Sequence, residues 1–189
     1  MATSKEMAER LSARFPGRVS DAAEFRGEIT VRVVEASRIA EVMAFAKSDL
    51  GFDLLLDISG VDHLGKEPRY EVVYHLYGMA TGVYLRVKTA VGSDSAELPS
   101  VSGIWRAADW HEREAFDLMG LKFTGHPDMR RIIMWDGYPY HPLRKDFPLA
   151  GLPTEDGRTN AAPLEGGPFV TSTGEKTTVD REPRGKGEA

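Results

Sequence analysis

The sequence predicts an α+β fold: a two-layer sandwich with a mixed or antiparallel sheet and helices on one face, followed by an extended C-terminal arm and tail. Between Phe52 and Val91, three consecutive runs rich in β-branched and aromatic residues are separated by short turns containing glycine, the pattern of an antiparallel meander. Helical apolar stripes lie before and after these runs rather than between them, which favours segregated layers over a parallel βαβ arrangement. The length of 189 residues, with 41% hydrophobic and 28% charged residues, fits one domain with extensions.

Residues 3–15 read as an amphipathic helix. Ser4 is the expected cap, Met7, Leu11 and Phe15 fall at i, i+4 and i+8, and Pro16-Gly17 stops it. Ile29–Val34 is short and β-branched, a strand. Ser37 is the expected cap of a second helix with Ile39, Val42, Met43, Ala46 and Leu50 on its apolar face and Gly51 at its end. Phe52–Ile58 reads as a strand with Phe52, Leu54, Leu56 and Ile58 on one face and Asp53 and Asp57 on the other, with Leu55 interrupting the alternation. A polar turn over 60–68 leads to the strand Arg69–Tyr77, with Tyr70, Val72, Tyr74 and Leu76 on one face. After a turn at 78–82, Val83, Leu85, Val87 and Val91 oppose Tyr84, Arg86 and Lys88. The face carrying Arg86 and Lys88 is expected to meet water or a partner.

Pro99 or Ser100 opens the third helix, which runs to Leu118 or Met119 with Gly120 as its stop. Val101, Trp105, Ala108, Phe116 and Met119 form one stripe, and Glu112 falls near its middle. A carboxylate there is costly unless paired, so an arm arginine, Arg130, Arg131 or Arg144, is the expected partner of Glu112. Arg113 and Asp117 are i, i+4 neighbours expected as an exposed pair.

The chain thus divides into an α+β domain over 1–123, a proline- and arginine-rich arm over 124–150, and a glycine- and proline-rich tail over 151–189. The arm has too few periodic apolar positions for its own core. It still carries Phe123 at its root and then Ile132, Ile133, Met134, Trp135, Tyr138, Tyr140, Leu143, Phe147 and Leu149, a mixture suited to lying on another surface. The tail, with sparse anchors at Leu152, Leu164, Phe169 and Val170, is expected to order only on a partner.

Several functions are disfavoured. A net charge of -5 argues against nucleic acid. The chain has no cysteine, so it offers neither a disulfide nor a thiolate for zinc or an iron–sulfur cluster. The charged N-terminal stretch lacks a signal-peptide core, and no run approaches the roughly 18 apolar residues of a membrane span. The expectation is a cytosolic chain, or one peripheral on a cytosolic membrane face. Gly60–Lys66 has the spacing of a phosphate loop, but Glu67 stands where Ser or Thr is required and Pro68 with a strand follows instead of a helix. The five histidines, His63, His75, His111, His126 and His141, form no chelating pair, and structural hydrogen bonding is the default. A free-standing binding module or hydrolase with His126 and His141 at its site is the rival reading; it predicts a stable monomer with bound metal.

Glu112-Arg113-Glu114, Asp117, Gly120, Phe123, Gly125-His126-Pro127-Asp128, Arg130-Arg131-Ile132 and Pro142-Leu143-Arg144-Lys145-Asp146-Phe147-Pro148 resemble the signature of the C subunit of NADH:quinone oxidoreductase, respiratory complex I. Leu98-Pro99-Ser100-Val101 fits as well. Arg106 stands where the family often has a helix-breaking proline, so a more continuous helix is expected; Asp136–Tyr140 falls at a variable insertion. The resemblance implies a non-catalytic subunit of the peripheral arm with no cofactor of its own, in a complex that uses NADH, FMN, iron–sulfur clusters and quinone. It implies packing against the quinone-cavity subunit and the terminal iron–sulfur subunit, at the cytoplasmic face of the membrane without spanning it. Within it, Gly120 and Gly125 serve tight turns, and Pro127, Pro142 and Pro148 hold the arm extended. Arg130, Arg131 and Arg144 are donors to carboxylates, whether Glu112, Glu114, Asp117 or those of a partner, and Trp110, Phe123, Trp135, Leu143 and Phe147 are apolar anchors. The homologous subunit of a membrane-bound hydrogenase, or of a deazaflavin- or ferredoxin-dependent quinone oxidoreductase, shares this signature.

Overall fold

The computed structural model describes residues 3–93 and 96–148. The predicted tail over 151–189 and the anchor Leu149 lie outside them. The chain forms two units, Met1–Asp136 and Gly137–Ala189.

Helix α1 (Ser4–Arg14) is capped by Thr3 and not by Ser4. Thr3 Oγ1 accepts from the Glu6 N–H at 3.2 Å, and the Glu6 carboxylate accepts from the Thr3 N–H at 2.9 Å. The reciprocal box needs its acid three residues after the cap, and that spacing selects Thr3. A hairpin of β1 (Ala23–Phe25) and β2 (Glu28–Val33) follows, turning through Arg26 and Gly27 with φ of 54° and 80°. All of β1 is exposed, so it leaves no alternation to find. Ser37 caps nothing: it lies in a single 3-10 turn, Ala36–Arg38, that feeds α2 (Ile39–Ser48). The predicted face of α2 is buried, and Gly51 ends the segment with φ 76°.

Strands β3 (Leu54–Asp62), β4 (Tyr70–Gly78) and β5 (Val83–Val91) form the expected antiparallel meander, and β2 joins β5 in parallel, giving the order β1-β2-β5-β4-β3. The sheet is therefore mixed. Tyr70, Val72, Tyr74 and Leu76 of β4 pack with Val83, Leu85, Val87 and Val91 of β5 in the core that α1 and α2 cover. The expected inward face of β3 is corrected. Leu55 and Ile58 are buried, whereas Leu54 and Leu56 are 38% and 40% exposed. The register slips between Leu55 and Asp57, and the extra residue reverses the parity that simple alternation assumes. Strand β3 also runs on through Gly60–Asp62, so the polar turn begins at His63, and the Asp62 carboxylate takes both Arg69 Nε and Nη2 at 2.8 Å across it.

A small parallel sheet pairs β6 (Glu97–Pro99) with β7 (Lys122–Thr124), and α3 (Ala108–Met119) lies between them in sequence. Helix α3 thus starts at Ala108, well after the predicted opening at Pro99 or Ser100. Val101 O accepts from the N–H groups of both Ile104 and Trp105, at 2.9 and 3.0 Å. That lone turn gives Val101 and Trp105 their helical spacing without belonging to the helix. Arg106 lies in the turn that leads into α3, without any proline, so the more continuous helix expected there does not form. Gly120 closes α3 in the left-handed region, φ 75°.

Helix α3 packs along β3. A Cβ on Gly60 would overlap Met119 Sδ and stand 2.9 Å from Leu121 Cδ1. Both atoms are the far ends of flexible side chains that can give way, so Gly60→Ala is expected to lower the unfolding free energy by only about 1 kcal/mol, the low end for overpacking, which a denaturant titration of the full chain reads directly.

Candidate functional site

Helix α3 presents two polar faces: one holds the arm that follows it, and the other holds the turn that precedes it together with His126. Residues 110, 113 and 117 share one face by helical spacing, and this face meets the arm. Asp117 is fully buried. Its Oδ2 accepts from the backbone N–H groups of Ile132, Ile133 and Met134 at 3.0, 2.7 and 2.8 Å, and Arg131 Nη1 donates to Oδ1 at 2.5 Å. Consecutive amides aimed at one anion make a backbone nest, here filled by the chain's own carboxylate. Burial pushes the Asp117 carboxyl up, but the Met134 and Ile133 amides, Arg131 and the Ile132 amide together hold it below its ordinary value.

Arg113 is buried beside it. It donates from Nε to Arg130 O at 3.0 Å and from Nη2 to Arg131 O at 3.3 Å, with its guanidinium 5.1 Å from the Trp110 ring centroid. The solvated Arg113–Asp117 pair expected from the sequence is thus replaced by two buried groups of α3 that grip the arm. Arg113 takes its carbonyls and Asp117 takes its amides. A backbone without regular structure needs such partners when it lies against a protein surface.

The second face holds Asp109 and Glu112. Glu112 is fully buried and accepts from Val101 N–H at 2.7 Å and Ser100 Oγ at 2.6 Å. Its Oε2 is 3.9 Å from Nε2 of His126, whose side chain is fully buried. The expected arginine partner is therefore corrected. Arg131 is taken by Asp117, and Arg130 binds Asp128 through two 2.6 Å contacts. Ser100 and Val101 reach Glu112 first because the turn over 100–105 folds back against α3. His126 Nδ1 accepts from the Asp128 N–H at 3.0 Å, and its Nε2 stands 3.2 Å from Asp109 O. Burial pushes the Glu112 carboxyl up; the bonds from Ser100 and Val101 and the field of His126 oppose this without reversing it, and Asp109 adds to the rise. Tyr74, also buried, has its phenol pushed up by burial and then by the Glu112 charge.

Of the remaining signature residues, Phe123 is a core side chain on β7, and Gly125 turns the chain with φ 81°. Trp110 and Ile133 are 62% and 56% exposed. Glu114 and Pro127 are exposed. The second unit carries Pro142, Leu143, Arg144, Lys145, Asp146 and Phe147. There the Arg144 N–H donates to His141 O at 3.1 Å and the Phe147 N–H to Arg144 O at 3.0 Å, while Tyr140 stands 5.6 Å from Tyr138 and 6.0 Å from Phe147 between ring centroids. Ser100 and Tyr74 were not anticipated at the site. Ser100 looks like an ordinary helix cap in the sequence, and Tyr74 like a core residue on an alternating strand.

An α+β domain whose last helix fastens an irregular arm by its backbone, leaving large apolar side chains outward, defines a component of an assembly. Comparison with known proteins agrees. Residues 32–153 match the family model described as respiratory-chain NADH dehydrogenase, 30 Kd subunit, and the chain belongs to that family. It is a component of the NADH–quinone oxidoreductase complex, in its peripheral arm. The NADH-quinone oxidoreductase C subunit of Geobacter metallireducens is 47% identical over 152 residues, 80% of this chain and 93% of the relative. A second C-type subunit of that oxidoreductase, from Rhizobium etli, is 48% identical over 140 residues, 73% of this chain and 74% of the relative. Among solved structures, a trypsin-resistant fragment (1-134) of Nqo5 is similar with TM-score 0.55 and 33% identity, covering 64% of this chain and 94% of that one. A chain of a membrane-bound sulfane sulfur reductase, an archaeal respiratory membrane complex, is similar with TM-score 0.65 and 30% identity, covering 76% and 85%.

Proposed function

We propose that the chain is a cofactor-free scaffold of the peripheral arm, which docks through its own arm on the subunit that shapes the quinone cavity and on the subunit that carries the terminal iron–sulfur cluster. The observation that carries this reading is the division of labour at residues 130–134. Helix α3 satisfies the backbone of that stretch through Arg113 and Asp117, while Ile133 of the stretch and Trp110 of the helix are exposed. Large apolar side chains on a rigid backbone are the groups that dominate interface energetics, and fixing them in advance lowers the entropy cost of docking. The absence of cysteine means that thiolate-held electron carriers must reside in other subunits. Among the described residues no helix is long and apolar enough to cross a membrane, which fits a peripheral position on the cytoplasmic face.

Arg144→Ala tests the reading. The amount of assembled complex on a native gel is expected to fall, while NADH–quinone turnover per assembled complex stays unchanged. Normal assembly with lost turnover would contradict a scaffold role and point to chemistry at this residue.

A further inference from the structure

The sheet face opposite the core carries a second feature, remote in sequence from the arm. Arg32 on β2 stands directly opposite Lys88 on β5, an unfavourable placement for like charges. Glu71 of β4 lies between them, 2.8 Å from Arg32 Nη1 and 3.0 Å from Lys88 Nζ, with His63 Nε2 at 3.9 Å. The depths differ: the Glu71 side chain is only 7% exposed, whereas those of Arg32, Lys88 and His63 are 52%, 26% and 38% exposed. The negative charge is the floor, and the cations Arg32 and Lys88, with the His63 ring, are the rim. Lys66 overhangs the same cleft of about 450 Å³, and Glu67, the other acid there, accepts from Ser93 Oγ at 2.7 Å. Among the described residues Arg32 uses one side-chain N–H and Lys88 one of its three. Arg32, Lys66 and Lys88 line this cleft against Glu67 and Glu71, which makes it locally cationic in a chain of net charge -5.

We propose that this cleft is a second docking point, taking an acidic segment of a neighbouring subunit, whose carboxylate is received by the free donors of Arg32 and Lys88. Charge complementarity is the argument. An approaching carboxylate meets the guanidinium and the ammonium before it senses Glu71, and the nearest charges dominate. Glu71 braces both cations from below, so less side-chain freedom is lost when the anion arrives. The inference rests on membership of a multisubunit complex and not on the role given to the arm.

The test is zero-length carbodiimide coupling of the assembled complex, carried out with Glu71→Gln so that the neighbouring Glu71 cannot consume Lys88. The expected product joins Lys88 or Lys66 to an aspartate or glutamate of another subunit. Coupling only to acidic residues of this same chain, or none, overturns the proposal. A salt titration of subunit release separates docking from internal bracing. The variant Arg32→Gln, Glu71→Gln, Lys88→Gln leaves no buried charge behind, and is expected to release the subunit at no more than half the salt concentration that releases Glu71→Gln. Equal release of the two variants overturns docking, because an internal brace is already lost when Glu71 is replaced.

Discussion

Asp117→Asn is expected to free the arm at its first fixed point. The amide keeps one acceptor oxygen, so it cannot serve the Ile132, Ile133 and Met134 amides and Arg131 as the carboxylate does. Breaking a buried ion pair from one side costs about 3–5 kcal/mol, mostly because the remaining charge is stranded. Arg131 retains some solvent contact, with 14% of its side chain exposed, which places the expected loss near the lower figure, about 3 kcal/mol. Denaturant unfolding of the full chain should show it, together with faster amide exchange at 132–134. Unchanged exchange there would mean that the nest is incidental. The pH dependence has a definite sign. The folded Asp117 carboxyl sits below its ordinary value, so its contribution is full above the unfolded pKa, about 3.9, and is lost as pH falls through the folded pKa. Acid should loosen the arm.

Glu112→Ala is expected to lower stability by about 2–4 kcal/mol, since the Val101 N–H and the Ser100 hydroxyl lose their acceptor in a dry site. The linkage here runs the other way. Burial raises the folded Glu112 carboxyl above its ordinary value, so the contribution is full below the unfolded pKa, about 4.3, and diminishes as pH rises through the folded pKa. Glu112→Gln keeps an acceptor for Val101 and removes the titration. Its stability should therefore decline less than the parent's as pH rises from about 4.3. A parallel decline in both proteins would show that Glu112 does not titrate with folding.

Strands β4 and β5 were legible because each carries one clean alternating apolar face into the core, and Gly120 because a helix end in the left-handed region selects glycine. Strand β1 was not legible, since none of its side chains is buried. The face of β3 was misread because a bulge changes parity without leaving a residue type that marks it. The start of α3 was placed too early because the turn at Val101–Trp105 spaces its apolar residues as a helix does. At the site, Asp117, Arg113 and Glu112 were each picked out, and Arg131 donates to Asp117, one of the carboxylates the resemblance offered it, yet the other partners were not foreseen. Asp117 binds mostly backbone amides, and an amide has no letter in a sequence. Glu112 is satisfied by Ser100 and Val101, one hydroxyl and one amide, whereas a search among charged residues leads to the arginines.

The central claim is that helix α3 fixes the beginning of the arm at residues 130–134 and that the arm docks on neighbouring subunits. Amide hydrogen exchange, compared between the purified chain and the assembled complex, tests this most directly. The amides of 132–134 should exchange slowly in both, and exchange across 137–148 should slow further on assembly. Exchange across 137–148 that is unchanged by assembly would contradict the account.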